Sequence, residues 1–135
     1  MVEAEDIPVR TDQRDVLMML VVASDRKMLK LLDMALSTEF ECDILAFASG
    51  KSAEETAKQV RLDLVVIDAH LLDSTALELA DRLHAIKVVE SVPMLLVNTP
   101  RAWGNISQRN HTLFLHAPFV LADFYSAVNT CLGRT

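Results

Sequence analysis

The stretch Asp63-Leu64-Val65-Val66-Ile67-Asp68 decides the reading of this chain. Four apolar residues, three of them β-branched, stand between two carboxylates. The run is too short for a buried helix, and its lack of polar alternation fits a strand covered on both faces, as in a parallel sheet flanked by helices. Asp68 then falls at the carboxyl edge of such a sheet, where open α/β folds place their binding crevice. The plainer alternative is an Asp that caps the loop after it, a common use of Asp at strand ends.

Working outward, the same strand-then-helix alternation recurs. Residues 16–23, VLMMLVVA, read as a strand bounded by Ser24 and Asp25. Residues 26–38 place Met28, Leu31, Leu32, Ala35 and Leu36 on one helical stripe. A strand is expected over 42–47, with Gly50 breaking the chain and a second helix opening at Ser52 and running to about 60. A third helix is expected over 74–88, with Leu77, Ala80, Leu83, His84 and Val88 inward, then a strand over 93–98. Pro100 and Gly104 leave any helix in 99–110 short. A fifth strand over 112–116 and a closing helix over 119–132, with Leu121, Phe124, Tyr125 and Val128 available to pack, complete the chain. Five apolar strands joined by helices imply parallel pairing through right-handed crossovers. The expected fold is therefore a flavodoxin-like (βα)5 three-layer α/β sandwich with strand order 2-1-3-4-5. Residues 1–14, without apolar periodicity, read as a flexible arm ahead of a single domain over 15–133.

Composition narrows the class. The 135 residues are one domain's worth, and 51% hydrophobic against 24% charged residues favours a packed core over disorder. Thirteen basic against nineteen acidic residues give a net charge of −6, which argues against nucleic acid and anionic membranes as partners. No apolar run approaches the ~20 residues of a membrane span, and the acidic amino terminus lacks the order of a secretory signal. Cys42 and Cys131 lack CxxC spacing and read as two reduced thiols, so the expected location is cytoplasmic.

At Asp68 the chain resembles a family. DLVVID followed by AHLLDSTALEL is similar to the phospho-acceptor region of the response-regulator receiver (CheY-like) domains of two-component signalling. Gly50 with Ala53 upstream, and Phe114-Leu115-His116-Ala117-Pro118-Phe119 downstream, match further family patterns, so the resemblance runs from about residue 16 to 132. It implies that Asp68 is the phospho-acceptor candidate, that histidine kinases or effector proteins are the partners, and that Mg²⁺ is the cofactor of a working site.

The departures bear on function. The resemblance puts two acidic metal ligands at Ala23 and Ser24, and the phosphoryl-binding Lys at Ala117. The Ser or Thr that closes on the phosphoryl group aligns with Asn98, with Thr99 next to it, and the aromatic switch aligns with Phe114. Phosphoryl transfer to a carboxylate crowds negative charge, which oxygen-ligated divalent ions relieve; alanine cannot hold one. Asp25 is the one carboxylate placed to substitute as a metal ligand, against its competing use as a helix cap. The expectation is a pseudo-receiver, not an enzyme, that signals by protein–protein contact with degenerate Mg²⁺-dependent phosphorylation and no cofactor. The alternative is a functional phospho-acceptor loaded on Asp68 by a histidine kinase. Trp103, Ile106 and Tyr125 are the partner-binding candidates, on the face of the short fourth helix, strand five and closing helix, where receivers commonly also form homodimers. Ser24, His70 and Asp68 lack the nucleophile-elbow setting of a hydrolase, His111 and His116 read as surface residues, and no glycine follows strand one to cradle a dinucleotide.

Overall fold

A computed structural model describes residues 16–106 and 111–134. Strands β1 (Leu17–Val22), β2 (Cys42–Phe47), β3 (Leu64–Asp68), β4 (Met94–Thr99) and β5 (Thr112–His116) form one parallel sheet in the order β2-β1-β3-β4-β5. Helices α1 (Arg26–Glu39), α2 (Gly50–Ala57), α3 (Ala76–His84) and α4 (Leu121–Cys131) connect and cover it, with 3₁₀ turns at Lys87–Val89 and Arg101–Ile106. The flavodoxin-like sandwich and its strand order are as expected; the arm over 1–14 lies outside the described residues.

Alternation along the strands builds two cores. Leu20, Val22, Val65, Ile67, Met94 and Leu96 pack under α2 and α3 with Ala53, Ala57, Leu79, Ala80 and Leu83. Their sequence neighbours Met19, Val21, Leu64, Val66, Leu95 and Val97 pack on the opposite face under α1 and α4. Because side chains alternate across a strand, a central strand buried on both faces must be apolar throughout, which explains why β1, β3 and β4 show no polar alternation. At the amino edge Asp63 pins β1, its carboxylate accepting from Met18 N–H at 2.8 Å while its own N–H donates to the Met18 carbonyl at 2.8 Å.

Local chemistry sets the helix ends. Asp25 caps α1, accepting from the Lys27 and Met28 amides at 2.8 and 3.3 Å. Thr75 and Glu78 form a reciprocal capping box at α3. The start of α2 corrects the sequence reading: Gly50 is not a break but the first helical residue, capped by Ser49. Three residues expected inward are exposed instead, Leu31 on α1, Leu121 on α4 and Val88. On α1 the inward stripe narrows to Leu32, Ala35 and Leu36, and the third helix ends at His84, so Val88 belongs to a 3₁₀ turn that buries Val89 instead. Both cysteines are free, and burial pushes the Cys131 thiol up to about 11, with Cys42 raised too, so neither is a ready nucleophile at neutral pH. Among the described residues no helix is long and apolar enough to cross a membrane.

Candidate functional site, the carboxyl edge of the sheet

Asp68 ends β3 and is 2% exposed, one of two buried polar side chains among the described residues. Its Oδ1 accepts from the Asn98 side-chain amide at 3.1 Å. Asn98 reaches it through a local irregularity: the β4–β5 register shifts between Val97 and Thr99, and Asn98 sits at φ 60°. Non-glycine residues avoid that left-handed region, and Asn is among the few that tolerate it. The bulge lets β4 continue to Thr99, one residue beyond the expected end, while the Asn98 amide engages the carboxylate.

Thr99 is fully buried, and its Oγ1 lies 2.7 Å from His116 Nδ1. His116 is thus a partnered group, not the free surface residue expected. Its ring meets Phe114 edge-on at 6.4 Å, and Phe114 meets Trp103 edge-on at 6.2 Å. Contacts therefore run without interruption from Asp68 through Asn98, Thr99, His116 and Phe114 to the half-buried Trp103. Ala117 holds the strand end in place, its N–H donating to the Thr99 carbonyl at 3.1 Å.

The β1 side of the crevice is sewn shut by the chain itself. Ser24 Oγ donates to the Ala48 carbonyl at 2.9 Å and accepts from Leu72 N–H at 3.0 Å, joining the loops after β1, β2 and β3. Asp73 accepts from the Gly50 and Lys51 amides at 3.0 and 3.1 Å, supplying the first turn of α2 with a carboxylate from a distant loop. The Gly50 bond foremost, with help from Lys51, holds the Asp73 carboxyl below the usual carboxylate range against the opposing effect of burial. The loops approach so closely that a Cβ on Gly50 would sit 3.2 Å from Ser74 Oγ and 3.3 Å from both terminal carbons of Leu79. An alanine here would require the Ser74 or Leu79 side chain to move by a few tenths of an ångström.

The donors at this edge are a poor match for Mg²⁺, which wants near-octahedral oxygen ligation, normally with more than one carboxylate or a phosphate. Asp68 offers one carboxylate, already sharing an oxygen with Asn98. Ala23 offers nothing, the Ser24 hydroxyl both donates and accepts within the chain, and Asp25 is spent as a cap. No group of three or more His, Cys, Asp or Glu side chains converges among the described residues. The residues present do not fit the ion, and no step below passes through it.

The remaining candidates are dispersed. His70 is exposed. Trp103 packs with the α2–α3 core, whereas Tyr125 packs with the α1–α4 core and donates to the Ala35 carbonyl at 2.9 Å, so the two belong to opposite layers. The side chain of Ile106 lies outside the described residues.

Comparison with solved structures follows from this geometry. The receiver domain of a sensor histidine kinase from Pseudomonas aeruginosa PAO1, described with magnesium coordinated in its active-site cleft, superposes with a TM-score of 0.74 at 16% identity, covering 87% of this chain and 98% of that one. The chemotaxis response regulator CheY4 of Vibrio cholerae gives 0.76 at 16% identity over 87% and 99%. A response regulator receiver protein from Sinorhizobium medicae WSM419 gives 0.75 at 18% identity over 89% and 97%. The fold is that of a receiver domain. No protein-family model matches the sequence, nor does any curated protein compared with it. The receiver fold is thus carried here on a sequence only 16–18% identical to these three structures.

Three features of the receiver-like crevice escape sequence reading. The Asp73 bridge spans 23 positions to a helix other than the one it precedes, and the Thr99–His116 pair spans 17. The Asn98 bulge has one faint signal, an Asn at a strand end, the residue type that tolerates positive φ.

Proposed function

We propose that this chain is a pseudo-receiver: a signalling domain that acts by binding a protein partner, with Mg²⁺-dependent phosphorylation of Asp68 degenerate. The observation that carries the reading is the state of Asp68, a buried carboxylate whose single side-chain hydrogen bond among the described residues comes from a neutral amide. Phosphoryl transfer to such a carboxylate gathers negative charge on several oxygens and is driven mainly by positioning and by cations aimed at them. Ala23, Ser24 and Ala117 supply no cation, and Ser24 is committed to holding loops. The partner is a histidine kinase or an effector protein, the domain spans 15–133, and its setting is the cytoplasm. Catalysis, nucleic acid and membrane have no part in it.

The second reading, a working phospho-acceptor on Asp68, draws on the magnesium described in the Pseudomonas neighbour. Incubation with a small phosphodonor and Mg²⁺, read by intact-protein mass spectrometry, separates the two. The pseudo-receiver gains no phosphoryl mass. Rapid labelling that vanishes in Asp68→Asn would overturn it.

A further inference from the structure

We propose that a cavity at the amino edge of the sheet, opposite the Asp68 crevice, is the docking site of the chain's own acidic segment, residues 3–9. The inference goes beyond the protein-binding reading and does not depend on the state of Asp68.

The cavity has a volume of about 400 Å³ and is lined by Lys58, Gln59, Val60, Arg61 and Val88. It lies where the end of α2 meets the 3₁₀ turn that follows α3. Two of its five lining residues are cations and none is an anion. Neither cation makes an ion pair or a side-chain hydrogen bond among the described residues. Val88 is 60% exposed, so apolar surface lies open beside the charges, while Val60 is anchored in the α2–α3 core. The adjoining cavity, which shares Gln59 and Val60, is lined by Glu55 and by no cation. The positive charge is thus local to the first cavity, and a complementary guest carries carboxylates next to apolar side chains.

Residues 3–9 have that composition, Glu3, Glu5 and Asp6 being followed by Ile7 and Val9. Pro8 disfavours helix at Ile7 and favours an extended path, on which Glu3, Glu5, Ile7 and Val9 share one side. The point at which the segment joins the domain brings it to the cavity. Asp63, two residues after Arg61, exchanges two 2.8 Å bonds with Met18, so the chain enters β1 beside the loop that carries Lys58 and Arg61. From Val16 back to Asp6, ten residues span up to about 33 Å. The eight residues of α2 cover about 12 Å. The tether therefore reaches the cavity with slack and holds the segment at an effective concentration on the order of millimolar, at which individually weak surface pairs suffice. Docked, the segment closes the cavity to acidic segments of other proteins.

The test uses the full ¹⁵N-labelled chain and a charge-reversed variant that combines Glu3→Lys, Glu5→Lys and Asp6→Lys. The Arg61 and Val88 amide signals are expected to differ between the two at low salt, and about 0.5 M NaCl draws them together. The Asn98 and Ala117 amides, at the opposite edge, do not move. A synthetic peptide of residues 2–9, acetylated and amidated, shifts the Arg61 and Val88 signals saturably in the variant. Severalfold more peptide is needed in wild type, whose own segment competes. Lys58→Gln with Arg61→Gln, added to the variant, weakens the peptide about tenfold or more. Coincident signals in wild type and variant, or equal peptide affinity in the two, would overturn the proposal. So would a difference that fades on dilution, which assigns the cavity to the segment of a second copy, or inorganic phosphate binding as tightly as the peptide, which makes it a small-anion site.

Discussion

On the side of the crevice built by β1, β2 and β3, the polar groups of the loops are spent on one another: Ser24 joins three loops, and Asp73 serves the start of α2. On the side built by β3, β4 and β5, two buried polar groups are each bonded to a half-buried partner, Asp68 to Asn98 and Thr99 to His116. On the first side the bonds of Ser24, and that of Asp73 to Lys51, are open to water, so hydration can replace them when they are lost. On the second side one member of each pair is buried, so a mismatch there leaves a desolvated polar group, which costs more than the bond was worth. The contrast also separates roles. Bonds on the sewn side shape the crevice, whereas those on the buried side fix the charge that the crevice presents.

The largest effect is expected from Asn98→Asp. The substitution keeps the shape and the tolerance for positive φ, but puts a second carboxylate within hydrogen-bond reach of buried Asp68. Two like charges at that separation repel by about 2–4 kcal/mol at an intermediate effective dielectric. Chemical denaturation at pH 7 should show that loss, largely unrelieved by added salt because the pair is shielded from it. A loss no larger than that of Asn98→Gly, which removes the bond and adds no charge, would show that Asp68 is better solvated than its burial implies and would erase the difference between the two sides.

How far the sequence foretold this arrangement follows from the range of each interaction. The apolar central strands and the place of Asp68 at the sheet edge come from short, continuous apolar runs, which Leu64–Ile67 carries within four residues, and the parallel sheet from the repeat of strand and helix. Asp25 as a cap is equally local, a carboxylate two and three positions before the amides it serves. The start of α2 is less legible, because besides the local cap Ser49 the carboxylate that serves its first two amides, Asp73, arrives from another loop. Exposure of Leu31 follows from how far round α1 the sheet reaches, which periodicity does not encode. For His116 the missing term was burial of its partner: Thr99 at 0% exposure requires a hydrogen-bond partner, and the bulge at Asn98 aligns it with His116.

Asp73→Ala should cost less, about 0.5–2 kcal/mol, the usual range for losing a cap at a helix start. It also carries a pH signature. The folded-state carboxyl is depressed by the Gly50 and Lys51 amides, so its contribution is present above the ordinary carboxylate value of about 3.9 and is lost as pH falls through the lower folded value. Wild type and variant should therefore differ in Tm at pH 6 and converge toward pH 2. A pH-independent difference would mean that Asp73 acts through packing and not through charge.

The smallest effect belongs to Ser24→Ala, which removes one donor and one acceptor bond at a half-exposed hydroxyl. Water can replace both, so the net loss should stay within about 1 kcal/mol. Global stability is the wrong place to look for it. The Leu72 amide loses its acceptor, and hydrogen exchange at that one position should speed up while the β3 amides keep their protection, because local opening and global unfolding are separate processes. If exchange rose across β3 as well, Ser24 would be supporting the buried side of the crevice, and the separation between a shaping half and a charge-bearing half would fail.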